Sequence, residues 1–282
     1  MNNAIEIKGL CKNYSDFSLK NIDMAIPKGY ITGFVGGNGA GKSTTIKSIL
    51  NLINKDSGKI TVFGTDHTQL SKRQKEMIGV VYDECVYPSP LKIKQIDKFS
   101  KNIYSNWDSS KFMELCKKFR LPDDKIIQDF SRGMKMKLSI AAALCHGAKL
   151  LILDEATSGL DPVVRDEILD MLLDFVQDEE NTLFMSSHIT SDLEKVADFI
   201  TFINNGKIIL NIEKDRISEE YAILKCTDEE FESVDKTAVI GKHRSDFGVT
   251  ALVKRHAVPD GLLTEKPTIE DMLLYMTKEE RQ

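Results

Sequence analysis

A glycine-rich stretch near the start of the chain has the residue types and spacing of a phosphate-binding loop. An apolar strand, Ile31 to Val35, runs into the pattern G-x-x-x-x-G-K-S. Its glycines allow positive φ and a close approach to a ligand, and the backbone N–H groups then surround a phosphate at the start of the next helix. We expect Lys42 to contact the β- and γ-phosphates and Ser43 to hold Mg²⁺. A bound nucleoside triphosphate is therefore predicted, in preference to a glycine-rich turn without a ligand. The candidate phosphate-binding residues are Gly36, Gly37, Asn38, Gly39, Ala40, Gly41, Lys42, Ser43 and Thr44.

Two consecutive carboxylates follow a second apolar strand. The run Lys149 to Leu153 has the composition of a buried parallel strand and ends at Asp154 and Glu155. Mg²⁺ prefers oxygen ligands, often one or two carboxylates with phosphates, so Asp154 is a candidate metal ligand through a bound water. Glu155 is a candidate to orient or deprotonate the water that attacks the γ-phosphate. The alternative is an acidic turn that closes the strand, and the phosphate loop favours the catalytic interpretation.

Two further side chains are candidates for nucleotide contacts. His188 follows the strand Thr182 to Ser186, at a strand end where α/β sheets bind ligands, and we expect it to touch the γ-phosphate. A structural histidine is the alternative. Tyr14 lies between the first two predicted strands, where it either packs on the strand edge or offers its ring to an adenine base. The residue alone does not favour one of these two interpretations of Tyr14.

Composition and charge exclude several classes of protein. The chain has 282 residues and a net charge of −5, whereas a nucleic-acid binder usually has a basic surface. Its five cysteines are scattered and form no C-x-x-C pair, which favours reduced thiols in the cytosol. No apolar run is long enough for a membrane span, so any membrane role is expected to come through a partner.

The order of predicted elements indicates an α/β fold with a P-loop NTPase parallel-sheet core and an antiparallel β edge. A helix is predicted from Lys42 to Asn54. An all-helical insert is expected at about 85–147, because strand patterns are absent there and helical runs such as Gly133 to His146 replace them. We expect one domain at 1–215 and a small C-terminal α+β appendage at 216–282, in which two strands and the helix Ile269 to Met276 are predicted.

Five motifs in this order resemble those of an ATP-binding-cassette (ABC) ATPase, the nucleotide-binding subunit of an ABC transporter. The resemblance covers about residues 4 to 215. The motifs are the loop Gly36 to Ser43, the signature-like Ser131–Arg132–Gly133–Met134–Lys135, the strand and carboxylates Leu150 to Glu155, the run Ala156 to Asp161, and His188.

The resemblance implies roles for the matching positions within one subunit. Tyr14 would stack on adenine and Asp154 would support Mg²⁺. Glu155 would be the general base, and His188 would sense the γ-phosphate.

The resemblance also implies that the site is shared between two subunits. Ser131 and Gly133 would reach the γ-phosphate of ATP bound to the opposite subunit. Asp161 would communicate across that pair. The chain is therefore expected to act as a homodimer or heterodimer.

Two departures from the family pattern affect these expectations. The family usually has Gln where this chain has Asp83, and that Gln contributes to the Mg²⁺ shell and to coupling with the membrane subunit. Asp83 could serve through a water. The usual signature S-G-G-Q is replaced by a run in which Ser131 and Gly133 are kept, so an active composite site is expected.

The function implied by this resemblance is ATP hydrolysis that drives export through a separate permease. The chain is similar to bacterial subunits for drug, peptide-antibiotic or lantibiotic efflux, which act at the cytoplasmic face of the cell membrane. A soluble ABC ATPase of translation or DNA maintenance is the alternative, but such proteins usually have two cassettes or a long coiled coil. An importer ATPase and a small-molecule kinase fit the motifs less well.

Overall fold

The computed structural model describes residues 2–246 and 248–278. The strands are β1 (Asn3–Asn13), β2 (Ser18–Pro27), β3 (Ile31–Val35), β4 (Ser57–Val62), β5 (Thr65–Asp66), β6 (Ile78–Tyr82), β7 (Leu150–Asp154), β8 (Thr182–Ser187), β9 (Phe199–Asn204), β10 (Lys207–Glu213), β11 (Tyr221–Cys226), β12 (Val239–Ser245), β13 (Gly248–Lys254) and β14 (Leu263–Glu265). The helices are α1 (Lys42–Ile49), α2 (Lys72–Glu76), α3 (Ile93–Ile103), α4 (Ser109–Lys118), α5 (Arg132–Ala143), α6 (Pro162–Val176), α7 (Thr190–Val196), α8 (Lys214–Glu220), α9 (Asp228–Glu232) and α10 (Ile269–Lys278).

The central sheet has the strand order β10-β9-β3-β8-β7-β6. Its strands are parallel except for β10, which pairs antiparallel with β9. Strands β3, β7 and β8 are buried along their whole length, which explains their nearly continuous apolar sequences. Parallel strands end at the same edge, so this sheet brings the phosphate loop, the two carboxylates and His188 to one side.

A second sheet, in the order β2-β1-β4-β5, forms the antiparallel edge of the fold. Helix α1 lies between the two sheets, where Ile46 and Ile49 share a core cluster with Ile5, Phe34 and Phe184. The predicted fold class is confirmed in this part of the chain.

The predicted extent of α1 is wrong. The helix ends at Ile49 and not at Asn54, because Asn51 adopts φ of 54°. A residue in the left-handed region cannot continue a right-handed helix, and Asn tolerates that region better than most residues.

The chain between β6 and β7 contains helices α3, α4 and α5, and no strand is present in this described stretch. Asp108 and Ser131 cap α4 and α5 by accepting backbone N–H groups three residues later. Because of the Ser131 cap, α5 begins at Arg132, and it ends at Ala143 rather than at the predicted His146. The all-helical insert is confirmed.

A third sheet, in the order β12-β13-β11-β14, forms after residue 220 together with α9 and α10. Helices α8 and α9 and strands β12 and β14 were not predicted. Strand β12 gave no signal because it is largely exposed and lacks an apolar alternation. On α10, Met272 and Tyr275 belong to the same core cluster as Leu193 of α7. The boundary near residue 215 stays a prediction.

The described helices include none that is both long and apolar enough to cross a membrane.

Candidate functional site

A cavity of about 780 Å³ lies at the carboxyl edge of the central sheet. Its volume falls within the range of about 300–1,000 Å³ that is typical of small-ligand sites. Most of the predicted phosphate loop, Glu155 and His188 border it, so the structure brings together residues that are far apart in sequence. The lining residues are Asp16, Phe17, Asn38, Gly39, Ala40, Gly41, Lys42, Ser43, Thr44, Asp83, Glu155, Ser158 and His188.

Two glycines of the phosphate loop have no room for a side chain. A Cβ at Gly36 would lie 2.4 Å from the carbonyl oxygen of Ile203. Gly41 has φ of 117°, and a Cβ there would lie 2.9 Å from the ring of Phe17. The spacing of glycines in this motif is thus required by the packing as well as by close approach to a phosphate.

Lys42, Glu155 and His188 form one connected cluster. The Lys42 Nζ donates to the carbonyl oxygens of Gly36 and Gly37 at 2.7 and 3.2 Å. It also lies 3.1 Å from Glu155 Oε1, and Glu155 Oε2 lies 2.5 Å from His188 Nδ1. The cluster holds the carboxylate of Glu155 at the rim of the cavity, while the His188 side chain is 43% exposed.

The backbone of Glu155 is in the left-handed region, with φ of 54°. Residues other than Gly and Asn rarely adopt this left-handed conformation. The backbone strain that it causes typically persists where the surrounding structure fixes a functional residue. Here the Glu155 N–H donates to both the carbonyl oxygen and the hydroxyl of Ser186, at 3.2 and 3.1 Å.

Ser43, Asp154 and Ser186 form a second cluster beside the first. The hydroxyls of Ser43 and Ser186 donate to the same oxygen of Asp154, Oδ1, at 3.1 and 2.7 Å. Among the described residues no group of three or more His, Cys, Asp or Glu side chains is placed to hold a metal. A hydroxyl and a carboxylate fit Mg²⁺ bound together with phosphate, because that ion commonly takes few protein ligands and completes its shell with phosphates and waters.

Asp83 borders two cavities. It lines the one described above and also a second cavity of about 340 Å³, whose wall includes Glu84, Arg132 and Lys135. The structure thus places Asp83 between the phosphate loop and the start of α5.

Four other predicted residues, Tyr14, Ser131, Gly133 and Asp161, lie outside the lining of the 780 Å³ cavity. Tyr14 is 48% exposed, and the Lys12 Nζ lies 5.4 Å from the centre of its ring. Ser131 is exposed just before α5, and Gly133 is the second residue of that helix. Asp161 caps α6 by accepting the Val164 N–H at 3.0 Å.

Sequence reasoning missed several residues of this site. Ser186 was interpreted only as the end of a strand, although its hydroxyl is next to Asp154 because β7 and β8 pair in parallel. Phe17, Asp16 and Ser158 line the cavity through the folding of separate segments. The one available signal for Ser186 was a hydroxyl side chain at the end of a strand that follows the strand ending in Asp154.

The comparisons with known proteins agree with this geometry. A family model described as ABC transporter matches residues 19–158. The lantibiotic transport ATP-binding protein SrtF of Streptococcus pyogenes is 38% identical over 214 residues, which cover 75% of this chain and 91% of SrtF. The chain belongs to the ABC transporter family.

Two further matches extend this assignment. The bacitracin transport ATP-binding protein BcrA of Bacillus licheniformis is 33% identical over 222 residues, covering 78% of this chain and 72% of BcrA. The solved structure of cbiO1 of Clostridium perfringens, part of the ABC transporter complex cbiONQ, matches with a TM-score of 0.65 and 26% identity, covering 76% of this chain and 89% of cbiO1. This ABC chain binds ATP and is an ATPase subunit of a transporter, so the predicted family and activity are confirmed.

Proposed function

We propose that this ABC subunit powers the export of a peptide antibiotic or a similar compound through a separate membrane permease. The support comes from the names of the relatives, which are transport proteins for a lantibiotic and for bacitracin. The permease would hold the chain at the cytoplasmic face of the cell membrane. Asp83, Glu84 and Lys135 line the second cavity, and we expect movements of the site to reach the permease through the surface around it.

In the proposed reaction, Glu155 acts as the general base for the attacking water. Lys42 and His188 orient the carboxylate of Glu155 through the contacts described above and then contact the transferred phosphate. Ser43 and Asp154 would hold Mg²⁺, with Asp83 as a further ligand through water. The ion would supply positive charge for the triphosphate.

We propose that two subunits complete each site, and one observation carries this proposal. Ser131 and Gly133 do not line the cavity formed by their own phosphate loop. The N-terminus of α5 offers unsatisfied N–H groups that suit an anion. A second copy placed head to tail brings this helix end to the γ-phosphate, with Asp161 near the contact.

We also propose that the chain divides near residue 215 into the ATPase domain and the appendage. The support is that β11 to β14 pair only with one another, while β1 to β10 form the other two sheets.

Complementation between two inactive variants tests this function. Lys42→Ala removes the phosphate-loop cation, and Ser131→Arg blocks the start of α5, so each variant alone should lose ATPase activity. Co-expressed subunits should form mixed pairs in half of all cases, each with one complete site of two. About one quarter of wild-type activity should return.

The same preparations, purified from detergent-solubilised membranes, should contain a permease identifiable by mass spectrometry. Ser71→Arg is the matched control, because Ser71 also caps a helix start, that of α2, away from the site. A co-expressed pair that stays inactive would contradict the shared site, and a preparation without a membrane protein would contradict the transport role.

A further inference from the structure

A cavity of about 520 Å³ lies between the phosphate loop and helix α10 of the appendage, and we call it the α10 cavity. One wall consists of residues 37–40 with the end of β9 and the turn after it. The other wall consists of Glu270, Leu273, Leu274 and Thr277. Residues 38–40 also line the cavity of about 780 Å³ described above, so this segment borders both spaces. The proposed reaction leaves the α10 cavity without a role.

Helix α10 presents one face to this cavity. The four lining positions follow the spacing i, i+3, i+4 and i+7, which places them on one side of a helix. The helix is fixed to the ATPase part of the chain, because the Ile269 N–H donates to Glu194 Oε1 on α7. On the lining face Leu273 is half-buried and Leu274 is 43% exposed. The fixed helix therefore offers an apolar surface beside the phosphate loop.

The start of α6 offers a second exposed apolar side chain. Val163, the second residue of α6, is 68% exposed. The start of α6 adjoins the start of α5, because a Cβ at Gly133 would lie 3.2 Å from the Val164 side chain. A Cβ at Gly159 would likewise lie 3.2 Å from the guanidinium carbon of Arg132. The two helix starts therefore form one surface and reach any partner together.

The head-to-tail pair brings this surface to the α10 cavity. With Ser131 of a second copy at the γ-phosphate, the start of α6 in that copy comes close to residues 38–40, because the two helix starts adjoin. The same residues form one wall of the α10 cavity. The charges are complementary, since Arg132 is exposed on the incoming surface and Glu270 is exposed on α10.

We propose that the α10 cavity receives Val163, at the start of α6, from a second copy of this chain. Val163 packs on Leu273 and Leu274, and Arg132 of the same copy lies near Glu270. The appendage is then part of the subunit contact and stabilises the pair that completes the ATP site. This inference rests on the head-to-tail pairing proposed above.

Cross-linking between two variants tests the contact directly. Subunits with Val163→Cys are mixed with subunits carrying Leu274→Cys, and a short bismaleimide then adds to one thiol of each. Linked pairs should form with a non-hydrolysable ATP analogue and not without nucleotide. Wild-type protein controls for the native cysteines. A linked pair from either variant alone, above the wild-type level, would place that residue against its own counterpart and overturn the proposal.

A charge placed on the lining face is a second test. Leu274→Arg removes apolar burial and puts a cation into the contact, so the Kd of pairing with the ATP analogue should rise about tenfold or more. Sedimentation velocity measures this Kd. Leu263→Arg is the matched control, because Leu263 is 65% exposed on β14 of the same appendage. Its Kd should stay within about twofold of wild type, and equal effects of the two variants would overturn the proposal.

The salt dependence of pairing tests the charged part of the contact. Glu270→Lys should raise the Kd of pairing about three- to fivefold at low salt, and the difference from wild type should shrink at high salt, because exposed charges are screened. Glu229→Lys, an exposed change on α9, is the control. If both variants showed the same Kd at each salt concentration, the pairing of Glu270 with Arg132 would be overturned.

The outcomes separate this inference from the shared site. Complementation between Lys42→Ala and Ser131→Arg reports the shared site and changes nothing on α10. If activity returned in that experiment but Val163→Cys and Leu274→Cys subunits were not linked, the shared site would stand and the role of α10 would be overturned. If neither result were obtained, both proposals would be overturned.

Discussion

Two groups of polar side chains at the carboxyl edge of the central sheet differ in how fully their hydrogen bonds are formed. At the ends of β7 and β8, Asp154 accepts from Ser43 and Ser186, and Glu155 is held by Lys42 and His188. In the adjoining loop and in α7, Thr157 Oγ1 and Asp192 Oδ2 are each buried without a hydrogen-bond partner.

This difference in hydrogen bonding separates a preformed site from a region whose buried polar atoms lack partners. Donors and acceptors that are already satisfied hold a carboxylate in place without reorganisation during the reaction, which is what electrostatic catalysis requires. A buried polar atom without a hydrogen-bond partner can gain free energy when its surroundings rearrange, because each unmet group carries a desolvation cost. The first group is therefore arranged for chemistry, whereas the second has hydrogen-bonding capacity that this arrangement leaves unused.

The largest effect should come from the preformed group. Glu155→Gln removes the proposed base and keeps its size, so kcat should fall about 10²- to 10⁴-fold, the usual contribution of general acid–base catalysis. ATP-bound subunit pairs should accumulate, measurable by size-exclusion chromatography with light scattering. Glu114→Gln, an exposed change on α4, is the control. Unchanged turnover would remove Glu155 as the base.

A smaller loss should follow from the support beneath Asp154. Ser186→Ala removes the 2.7 Å hydrogen bond to Asp154 Oδ1 and the hydroxyl that accepts the Glu155 N–H. Loss of such supporting bonds typically lowers metal affinity or activity by about 10- to 100-fold. A titration of ATPase activity against Mg²⁺ should show a higher half-saturating concentration.

Ser139→Ala is the control for this change, since it also removes a hydroxyl that bonds a neighbouring group, the Lys135 carbonyl, but within α5. If Ser186→Ala had the same Mg²⁺ dependence as this control, Asp154 would not depend on the preformed bonds, and the contrast between the two regions would weaken.

The sequence was sufficient for the parts of the site whose chemistry is local. The glycine loop with Lys42 and Ser43 can be recognised from residue types and spacing within a few positions. The same holds for the pair Asp154 and Glu155, which follows an apolar strand. The fold class followed from the same periodicities. The proposal that Ser131 serves a second subunit came from the resemblance, because no local property of a capped helix start points to a second chain.

Contacts between distant segments could not be predicted. Ser186 reaches Asp154 only through the parallel pairing of β7 with β8. The end of α1 at Ile49 depended on a single residue, Asn51, in the left-handed region. These features arise from tertiary packing, which propensity and periodicity do not encode.

The smallest predicted effect concerns the base of the nucleotide, for which Tyr14 is the candidate contact. A ring that stacks on a base contributes about 1–3 kcal/mol, so Tyr14→Ala should weaken ATP binding about fivefold or more if Tyr14 holds adenine. Calorimetry with ATP and with tripolyphosphate separates stacking from phosphate contacts, because only ATP affinity should fall. Phe99→Ala, another half-exposed aromatic, is the control. Unchanged ATP affinity would leave Phe17, whose side chain lines the cavity, as the better candidate for the adenine contact.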